Sequence, residues 1–564
     1  MVGGTRDTPS DKREWPAHIK HLERRIDYAA LLALPASDGT DAALRHALSY
    51  MTDARVYRVH LPEWAAGRRP PRSVIPARFT RQLLVEGHFE PVAAESIKAA
   101  IFVFSVFEDA KGRCRIIQHP ERVNALVPAA PQVTFRSIKE RCQLVHAGPA
   151  AGQVDFRAFY TQFPLSVAVR NVFCAELAST DDEGRPSRQL YRLCVAPTGL
   201  AHMPYVACTT TARLKDFPRR SAADDDHIDN VLYVGNPEDV AHDLADLAAR
   251  CNIAGVTINE DVSDPRALVS TAVDWCGLHL DFSAKSVCLT QKVVDKIRLS
   301  WANFARWSWR GFAAHIGLLF YSMQLLEIPT FMFFNLLRFV SHVGREMQGR
   351  DDKCWDLAAE IWPSAAADLA AWTQLALTNK PRHVPKQEAP RVLALVDSSA
   401  YGWGYIAVDL ATGRVFMHGD RWADDFVLQH GRDKLRRSVF TEPHGVRLMK
   451  QHLLPQLDGI GCTVRVGSDN VTTVATYRRG FSAASYDLNA VAAADRLSGF
   501  DTYQFEYVSV AGVDNIYADA LSRGTDDLAR KDVGALVESL RRLLGVDPVD
   551  STGGGQAGAA DVTQ

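Results

Sequence analysis

The sequence predicts a chain of mixed class, with an α+β region, a helical region and an α/β unit in that order. Residues 76–282 alternate strand-like apolar runs, such as Ala100–Val106, with helical runs, such as Pro237–Cys251. Residues 283–385 are helical and aromatic, and after the polar linker Thr378 to Pro390 a compact α/β unit fills residues 391–525. A length of 564 residues agrees with three or four domains of ~150 residues each.

The two ends of the chain are predicted to lie outside these regions. Residues 1–75 are expected to form an N-terminal extension that ends in the basic, proline-rich stretch Gly67 to Arg72. Residues 526–564 are expected to form a C-terminal helix and a tail, and the low-complexity run that begins at Ser551 predicts disorder.

Composition argues against several classes of protein. Ten cysteines without a Cys-x-x-Cys pair argue against zinc knuckles and a disulfide framework, and they imply a reducing compartment. The run from Met1 to Trp15 lacks the apolar core of a secretory signal. The most apolar stretch, Gly311 to Phe339, is interrupted by polar residues and predicts packed helices rather than a membrane span. We therefore expect an intracellular protein of the cytoplasm or nucleus, with no membrane partner.

Basic residues cluster in the helical region although the net charge of the chain is −2. Residues 281–350 carry nine Lys and Arg against four Asp and Glu, a local excess of five positive charges. Positive side chains interleaved with Trp and Phe suit a grip on a phosphate backbone with support from aromatic stacking. The alternative is an ordinary helix with a buried Trp face and a solvated basic face. The candidates for nucleic-acid binding are Lys292, Lys296, Arg298, Arg306 and Arg310, beside Trp301, Phe304, Trp307 and Trp309.

A first pair of candidate catalytic carboxylates lies in the α+β region. Asp155 stands in the strand-like run Val154–Tyr160, and Asp229 follows the acidic run 224–226 at the start of the apolar run Ile228–Val234. This second pattern predicts a β-hairpin with a carboxylate at its turn. Carboxylates brought to one point can hold two divalent ions roughly 3.5–4 Å apart, as polymerases and nucleases do.

A second group of four acids lies in the α/β unit. Asp397 ends the strand-like run 392–397, Glu442 opens a predicted helix Pro443–Leu454, and Asp469 follows the run Thr463–Val466. Asp519 lies on a predicted short helix after the run Tyr503–Val510. Two acids that end strands and two that start helices can converge at one edge of a mixed sheet.

The motifs of the α+β region resemble those of reverse transcriptases, in the family's order. The resemblance implies a right-hand polymerase in which residues 76–282 form the fingers and palm and residues 283–385 the thumb or connection. It implies that Arg115, in Arg113-Cys-Arg-Ile-Ile, meets the incoming triphosphate. Asp155 and Asp229 would bind metal, Tyr160 would act as a steric gate against ribonucleotides, and Thr198 and Gly199 would shape the nucleotide pocket. The runs that carry the resemblance are 113–124, 155–160, 193–204, 227–230, 254–259 and 275–280.

The region also departs from the family pattern. Asn230 stands where the second Asp of the catalytic box is expected, and His227 replaces the preceding aromatic residue. Thr198 occupies a position where many relatives have Gln. Asparagine keeps an oxygen but loses the charge, so Asn230 predicts weaker Mg²⁺ binding than an aspartate would give.

The α/β unit resembles ribonuclease H over nearly all of residues 391–525. Asp397, Glu442, Asp469 and Asp519 fall at the family's four acidic positions, and a catalytic His of many cellular relatives has no evident counterpart. The phrases 469–480 and 518–523 are similar to those of retroelement polyproteins, in particular the DIRS group and VIPER-like trypanosomatid elements.

Together the two resemblances imply an RNA-directed DNA polymerase with ribonuclease H activity from a retrotransposon. The implied cofactor is Mg²⁺ or Mn²⁺, with two ions per active site. The implied partners are an RNA template, a DNA primer, an RNA–DNA hybrid and dNTPs. Two alternatives stay open because of Asn230: a decayed or domesticated fold that serves as a nucleic-acid-binding scaffold, and an active ribonuclease H carried on an inactive polymerase.

Overall fold

The structure is a computed structural model that divides into two compact units, Met1–Ser286 (unit 1) and Val287–Gln564 (unit 2). It describes residues 14–37, 40–58, 70, 72–180, 185–328, 330–386, 389–457, 462–479, 482, 486–496, 503–524, 533–546 and 562–563. The boundary lies four residues beyond the predicted end of the α+β region. The predicted helical region and α/β unit fall together in unit 2.

Unit 1 contains both helices and sheets, which confirms its α+β class. Its main sheet has the order β7-β8-β4-β9, with β4 between β8 and β9. A second sheet has the order β1-β6-β5, and β2 pairs with β3 and β10 with β11 as antiparallel hairpins. The helices are α1 Tyr28–Ala33, α2 Thr40–Thr52, α3 Ala77–Val85, α4 Glu121–Asn124, α5 Ile138–Gln143, α6 Val167–Arg170, α7 Met203–Leu214 and α8 Pro237–Ala254. The strands are β1 Phe89–Pro91, β2 Phe102–Glu108, β3 Arg113–His119, β4 Ala150–Asp155, β5 Cys174–Thr180, β6 Pro186–Leu193, β7 Ala223–His227, β8 Asn230–Gly235, β9 Val269–Ser270, β10 Ala272–Trp275 and β11 Leu278–Asp281.

The strand that carries Asp155 ends earlier than predicted. Within the run Val154–Tyr160, the extended backbone ends after Phe156, which forms a bridge to Ile258, because Ala158 adopts a positive φ of 50° and Phe159–Gln162 form a 3₁₀ turn. A strand cannot continue through a left-handed residue. Asp155 is therefore the last residue of β4 in its ladder with β8, at the end of the strand.

The N-terminal residues belong to the core of unit 1 and are not a separate extension. Trp15, Ile26, Leu44 and Tyr57 are buried in the same apolar cluster as Phe156 of the main sheet. The sequence signal missed this because the apolar residues of 14–57 are spread over short elements. The basic stretch Gly67 to Arg72 lies mostly outside the described residues, apart from residues 70 and 72.

Unit 2 combines a helical region with a mixed sheet. The strands are β12 Ser286–Leu289, β13 Arg382–His383, β14 Val392–Ser398, β15 Gly402–Asp409, β16 Val415–Arg421, β17 Thr463–Ser468, β18 Gln504–Ser509 and β19 Val562–Thr563. The helices are α9 Gln291–Ala302, α10 Trp309–Leu326, α11 Phe334–Met347, α12 Pro363–Thr378, α13 Asp424–His430, α14 Arg432–Leu435, α15 Ser438–Leu453, α16 Val471–Arg479, α17 Tyr486–Arg496, α18 Ile516–Ser522 and α19 Val533–Leu543. The predicted C-terminal helix corresponds to α19. The tail from Ser551 lies outside the described residues except for β19.

The sheet of unit 2 has the order β18-β17-β14-β15-β16-β19. β14, β15 and β16 are antiparallel neighbours, whereas β17 runs parallel to both β14 and β18. Alternate residues of β14 enter two different apolar clusters: Val392, Ala394 and Val396 face one, and Leu393 and Leu395 face the other. Because side chains alternate along a strand, the sheet is covered on both faces and β14 is its buried centre.

The helix that carries Glu442 begins four residues before this acid. α15 starts at Ser438 and includes Pro443, so Glu442 lies inside the helix rather than opening it as predicted. Proline favours the first helical position, and that preference led to the wrong boundary. A proline at this depth removes one backbone hydrogen bond of the helix.

The helical region of unit 2 packs its aromatic residues inward. Trp307 and Trp372 are buried, and the Trp372 ring stacks on Phe333 with centroids 4.9 Å apart. Among the described residues, no helix combines the length and apolarity needed to cross a membrane. The structure describes all ten cysteines, and no disulfide bond joins them.

His315 supplies a pH-dependent contribution to the stability of unit 2. Its ring lies 3.0 Å from both the Ser300 and Thr373 hydroxyls, and burial lowers its pKa to about 4. A histidine with a depressed pKa stabilises the fold above its unfolded pKa of ~6.5, and this stability is lost as pH falls towards 4. We expect His315→Gln to reduce the loss in free energy of unfolding between pH 7 and 4 by up to roughly 3 kcal/mol.

Chemical denaturation monitored by fluorescence at both pH values would measure this difference. The exposed His383 provides the control, since His383→Gln should leave the pH dependence unchanged. Equal pH dependence in wild type and His315→Gln would contradict the assignment.

Candidate active sites

The first pair of predicted carboxylates lies at the end of β4 in unit 1. Asp155 is the last residue of β4, and Asp229 lies in the two-residue turn between β7 and β8. Asp155 pairs across the ladder with Asn230, the first residue of β8. The backbone N–H of Phe156 donates to the Asp229 carbonyl at 2.8 Å. The structure therefore forms the predicted hairpin and brings Asp155, Asp229 and Asn230 together.

The turn that presents Asp229 has an unusual backbone. Ile228 adopts a φ of +60°, and its carbonyl accepts a 2.8 Å hydrogen bond from the Thr211 hydroxyl. A β-branched residue rarely enters this left-handed region. Such residues persist where the surroundings fix them, and they concentrate at functional sites. The geometry of this turn thus depends on its contact with α7.

Within the described part of the chain, neither Asp155 nor Asp229 forms an ion pair. Burial raises the pKa of Asp155 to about 6, and the neighbouring Asp229 adds to the rise. Burial also raises the pKa of Asp229, whereas a 2.9 Å bond donated by the Asn230 amide opposes the rise. The Asn259 amide donates to Asp155. Two anionic oxygens held in this way fit a divalent cation, with the Asn230 amide in place of a third carboxylate.

The acidic run before the turn is neutralised on the other side of the hairpin. Asp225 is buried and accepts hydrogen bonds from Arg141 Nε at 2.7 Å and Trp275 Nε1 at 2.6 Å. Asp224 and Asp226 both form ion pairs with Lys215. Asp224, Asp225 and Asp226 therefore already have partners, which distinguishes them from Asp229.

Tyr160 lies beside the acid pair. It is half-buried in the 3₁₀ turn after Asp155 and packs against the main core of unit 1. Burial raises its pKa to about 12, and the charge of Asp229 contributes to that rise. Tyr160 therefore lies close enough to Asp229 for the two groups to interact electrostatically, and the predicted gate role stays a prediction.

The remaining predicted nucleotide residues occupy two places. Arg115 is exposed on β3, whereas Thr198 and Gly199 pack against the end of the same strand. The Thr198 hydroxyl donates to Gln118 Oε1 at 3.0 Å. A Cβ at Gly199 would lie 2.6 Å from the Gln118 carbonyl. Position 199 therefore requires glycine because its backbone packs closely against the end of β3, whether or not it also approaches a ligand.

The predicted basic residues of unit 2 are exposed, but their partners differ. Lys292, Lys296 and Arg298 lie on α9, where Arg298 pairs with Asp295. Arg306 is exposed in a 3₁₀ turn, and Arg310 binds Asp352 and Asp356 at 3.1 and 2.9 Å. Exposed basic residues beside the buried Trp307 agree both with a nucleic-acid surface and with an ordinary solvated helix face, and nucleic-acid binding here stays a prediction.

Three acids of the second group form a compact cluster in unit 2. Asp397 is the last residue but one of β14, Glu442 lies on α15, and Asp469 follows β17. Each offers one oxygen, and these oxygens lie within 4.8 Å of one another. Within the described part of the chain, this is the one group of three or more ligating side chains that meets this geometry.

Short polar contacts hold the cluster. The Ser522 hydroxyl donates to Asp397 Oδ2 at 2.6 Å. Glu442 accepts from the backbone N–H of Ser398 at 3.1 Å and from the Ser468 hydroxyl at 3.2 Å. These donors come from β14, β17 and α18, so the position of each acid depends on the packing of helices on the sheet.

Asp519 lies near the cluster but outside it. Its carboxylate accepts a 2.8 Å hydrogen bond from Arg523 Nε, one turn later on α18. Its charge nevertheless raises the pKa of Asp397 and Asp469. The structure thus brings three of the four predicted acids together, and the metal-binding role of Asp519 stays a prediction.

A glycine places α18 against the sheet. A Cβ at Gly404 on β15 would lie 2.5 Å from Cβ of Leu521 on α18. The Asn515 amide, at the start of this helix, donates to the Val396 carbonyl at 3.1 Å. Close packing at Gly404 and the anchored helix start fix the distance of Ser522 and Asp519 from β14.

The three clustered acids fit a divalent cation. Burial and the charges of Asp397 and Asp469 raise the pKa of Glu442 to about 9. Burial raises the pKa of Asp397 to about 6, and burial also raises that of Asp469. Like charges held together in a buried place favour a cation, and hard carboxylate oxygens are the ligands that Mg²⁺ and Mn²⁺ prefer.

Several supporting residues were not identified as site residues from the sequence. Asn259 and Ser522 contact the acids directly, although both fall within runs that resemble family motifs. Asn470 caps α16 by accepting a 2.8 Å bond from the Thr473 N–H. Asparagine is a preferred N-cap residue, so the sequence could have revealed that Asn470, next to the predicted ligand Asp469, caps a helix.

No protein-family profile matches the sequence, and the search of curated proteins gave no match. Among solved structures, the chain is similar to the foamy viral protease-reverse transcriptase. A complex of its dRH form with double-stranded DNA has 12% identity and a TM-score of 0.44, covering 89% of this chain and 85% of that chain. A second complex with double-stranded DNA has 12% identity and a TM-score of 0.43, covering 87% and 99%. A complex with RNA/DNA hybrid has 12% identity and a TM-score of 0.42, covering 87% and 64%. The assignment to the DIRS group or to VIPER-like elements stays a prediction.

Glu442 provides a test of the cation cluster. An acid whose folded pKa is raised destabilises the fold as pH rises from its unfolded value of ~4.3 to its folded value, here about 9. We expect Glu442→Gln to raise the thermal stability of the metal-free protein at pH 8. We also expect Mn²⁺ or Mg²⁺ at ~100 times its Kd to stabilise the wild type by roughly 2.7 kcal/mol and the variant far less.

Thermal unfolding in EDTA and in each metal would measure both effects. The exposed Glu360 gives a matched control, since Glu360→Gln should retain the wild-type response to metal. An equal metal response in Glu442→Gln would show that the cluster is not the cation site.

Proposed function

We propose that the chain is the reverse transcriptase–ribonuclease H portion of a retrotransposon, of the DIRS-group or VIPER-like type. It would copy RNA into DNA and degrade the RNA strand of the resulting hybrid. The observation that carries this proposal is the pair of separate carboxylate sites, one in each unit, formed by acids in the order that the motifs predict. The fold would be a right-hand polymerase of fingers, palm and thumb, followed by a ribonuclease H-like domain.

The site of unit 1 would perform nucleotide addition. Two bound Mg²⁺ or Mn²⁺ ions would activate the primer hydroxyl and stabilise charge at phosphorus. Asp155 and Asp229 would hold these ions, and the amide of Asn259 keeps Asp155 oriented. Tyr160 borders the acids, so its ring would meet a 2′-hydroxyl and favour dNTPs. Arg115 would contact the triphosphate, while Thr198 and Gly199 would shape the pocket.

The site of unit 2 would hydrolyse the RNA strand. Asp397, Glu442 and Asp469 would hold the metal ions, with Asp519 completing the set after release from Arg523. Ser522 orients Asp397 through its 2.6 Å bond, so both oxygens of this carboxylate keep a defined direction. Metal binding must displace protons from the raised-pKa acids, and affinity should therefore increase from pH 6 to pH 9.

Exposed basic residues would bind the nucleic-acid partners. Lys292, Lys296 and Arg298 share α9 and could contact the phosphates of the primer, the RNA template or the hybrid. Arg306 would add to this surface. Arg310 already pairs with two acids, so it would contribute to binding only after that pair is broken.

Asn230 favours a second candidate function for unit 1. Its neutral amide donates to Asp229 and supplies no anionic ligand. A site with two carboxylates holds Mg²⁺ less tightly than one with three. The polymerase fold would then serve as a nucleic-acid-binding scaffold, with or without an active ribonuclease H in unit 2.

Restoring the carboxylate at position 230 tests the polymerase. We expect the wild type to extend a DNA primer on a poly(rA) template with Mg²⁺ or Mn²⁺. Asn230→Asp should raise the rate or lower the metal concentration required, because it adds a hard anionic ligand. Primer extension across a metal titration would measure both quantities.

The exposed Asn236 at the far end of β8 supplies the control, since Asn236→Asp adds the same charge away from the site. If the wild type extends no primer with either metal whereas Asn230→Asp does, the scaffold is the better description of the natural protein.

Cleavage of hybrid RNA tests unit 2 independently. We expect Asp469→Asn in the full chain to abolish cleavage while hybrid binding is retained, because binding depends on basic and backbone groups. Asp155→Asn in unit 1 should leave cleavage intact. Gel analysis of labelled hybrid with Mg²⁺ or Mn²⁺, alongside a binding assay, would measure both.

Asp420 lies on β16, is exposed and offers a matched control, since Asp420→Asn should cleave like the wild type. Full activity in Asp469→Asn would refute the site, and absence of cleavage by the wild type would refute the nuclease.

A further inference from the structure

A segment from the N-terminus, residues 14–27, lies against the site of unit 1. At one end, the Cys114 N–H donates to the Pro16 carbonyl at 2.8 Å and the His18 N–H donates to the Cys114 carbonyl at 2.7 Å. These bonds add the segment to the edge of β3, next to Arg115. Trp15 is buried there, with its ring 6.1 Å from that of Phe107.

The other end of the segment is anchored next to Tyr160. The Ile26 N–H donates to the Gln162 carbonyl at 2.9 Å, and Arg25 donates to the Thr161 carbonyl at 2.6 Å. Ile26 is 3% exposed, so this end is also part of the core. The segment therefore joins the strand that carries Arg115 to the turn that carries Tyr160.

Lys20 lies between these anchors and points to the acids. Its Nζ donates to Asn259 Oδ1 at 3.2 Å, and the nitrogen of the same amide donates to Asp155. The positive charge of Lys20 lowers the pKa of both Asp155 and Asp229, against the larger effect of burial. Other titratable groups nearby are Glu260, which accepts from the Asp155 N–H at 2.8 Å, His227, which lowers the pKa of Asp229, and His18 of the same segment.

Among the described residues, Lys20 donates one side-chain hydrogen bond, and its acceptor is the neutral amide of Asn259. An ammonium group has three donors on a flexible four-carbon stem, and it binds phosphate as a point charge. Cations bound to Asp155 and Asp229 would repel Lys20 from its present position. An incoming polyphosphate would then offer several negative oxygens to the Lys20 ammonium group.

We propose that Lys20 of the N-terminal segment contacts the polyphosphate of the incoming nucleotide. This inference rests on the proposed polymerase function. A role limited to offsetting the charge of the acids would predict a change in metal dependence instead, with no change in affinity for polyphosphate.

The test compares Lys20→Ala, Lys20→Arg and Arg24→Ala in the full chain. Arg24 is an exposed cation of the same segment that binds the Asn252 side chain at 2.7 Å, away from the acids. Binding of inorganic tripolyphosphate with Mg²⁺ is measured by calorimetry, and KM and kcat for dTTP are measured by primer extension. Lys20→Gln, which retains a polar side chain, replaces Lys20→Ala if thermal unfolding shows that the latter does not fold.

We expect Lys20→Ala to weaken tripolyphosphate binding and raise KM by about 10-fold, equivalent to ~1.4 kcal/mol, with a smaller change in kcat. Lys20→Arg should retain most of the affinity, and Arg24→Ala should stay within about twofold of the wild type. Unchanged tripolyphosphate affinity in Lys20→Ala would overturn the inference, even if extension slows through kcat.

The two measurements separate this inference from the polymerase proposal. A wild type that binds tripolyphosphate through Lys20 but extends no primer would retain the inference and refute the polymerase. If the wild type extends primers and Lys20→Ala binds tripolyphosphate and extends primers equally well, the polymerase proposal is retained and the inference about Lys20 is refuted. A wild type that neither binds tripolyphosphate nor extends primers would refute both.

Discussion

Mutual repulsion between carboxylates is the constraint around which both sites are constructed. Two unit charges 4 Å apart repel by about 4 kcal/mol at an effective dielectric constant of 20, which is a large share of the stability of a domain. The raised pKa values of Asp155, Asp397 and Glu442 show this effect, with burial as its larger cause. The fold holds these acids in place because hydrogen bonds and strand packing oppose the repulsion.

The two units offset the repulsion between their carboxylates with different hydrogen-bond donors. In unit 2, hydroxyl groups and a backbone N–H bind Asp397 and Glu442, and all of them lie on elements packed around β14. In unit 1, amides from Asn230 and Asn259 bind the acids, and Lys20 lies one hydrogen bond further out. The site of unit 1 is therefore more open, since its acids are half-buried whereas Asp397 and Glu442 are 6% and 2% exposed.

Other acids next to each site are paired with cations or other hydrogen-bond donors. The acidic run before Asp229 would add three negative charges to an already repulsive site, but Arg141, Lys215 and Trp275 bind that run. Asp519 is likewise held by Arg523 beside the cluster of unit 2. Among the described residues, the acids with raised pKa values, which include Asp155, Asp397 and Glu442, form none of the ion pairs that hold these neighbouring acids.

Residue patterns along the sequence predicted the mixed class of the chain, many of its strands and the positions of several acids on them. Periodicity and position alone placed Asp155, Asp229, Asp397 and Asp469 at strand ends or turns, because side-chain alternation and turn residues are local properties. Tertiary structure decided the rest. The start of α15, the inclusion of residues 14–57 in the core and the separation of Asp519 from the cluster depend on contacts between distant parts of the chain. Lys20 and Asn259 are 239 residues apart in sequence, so no local pattern could have placed them beside one pair of acids.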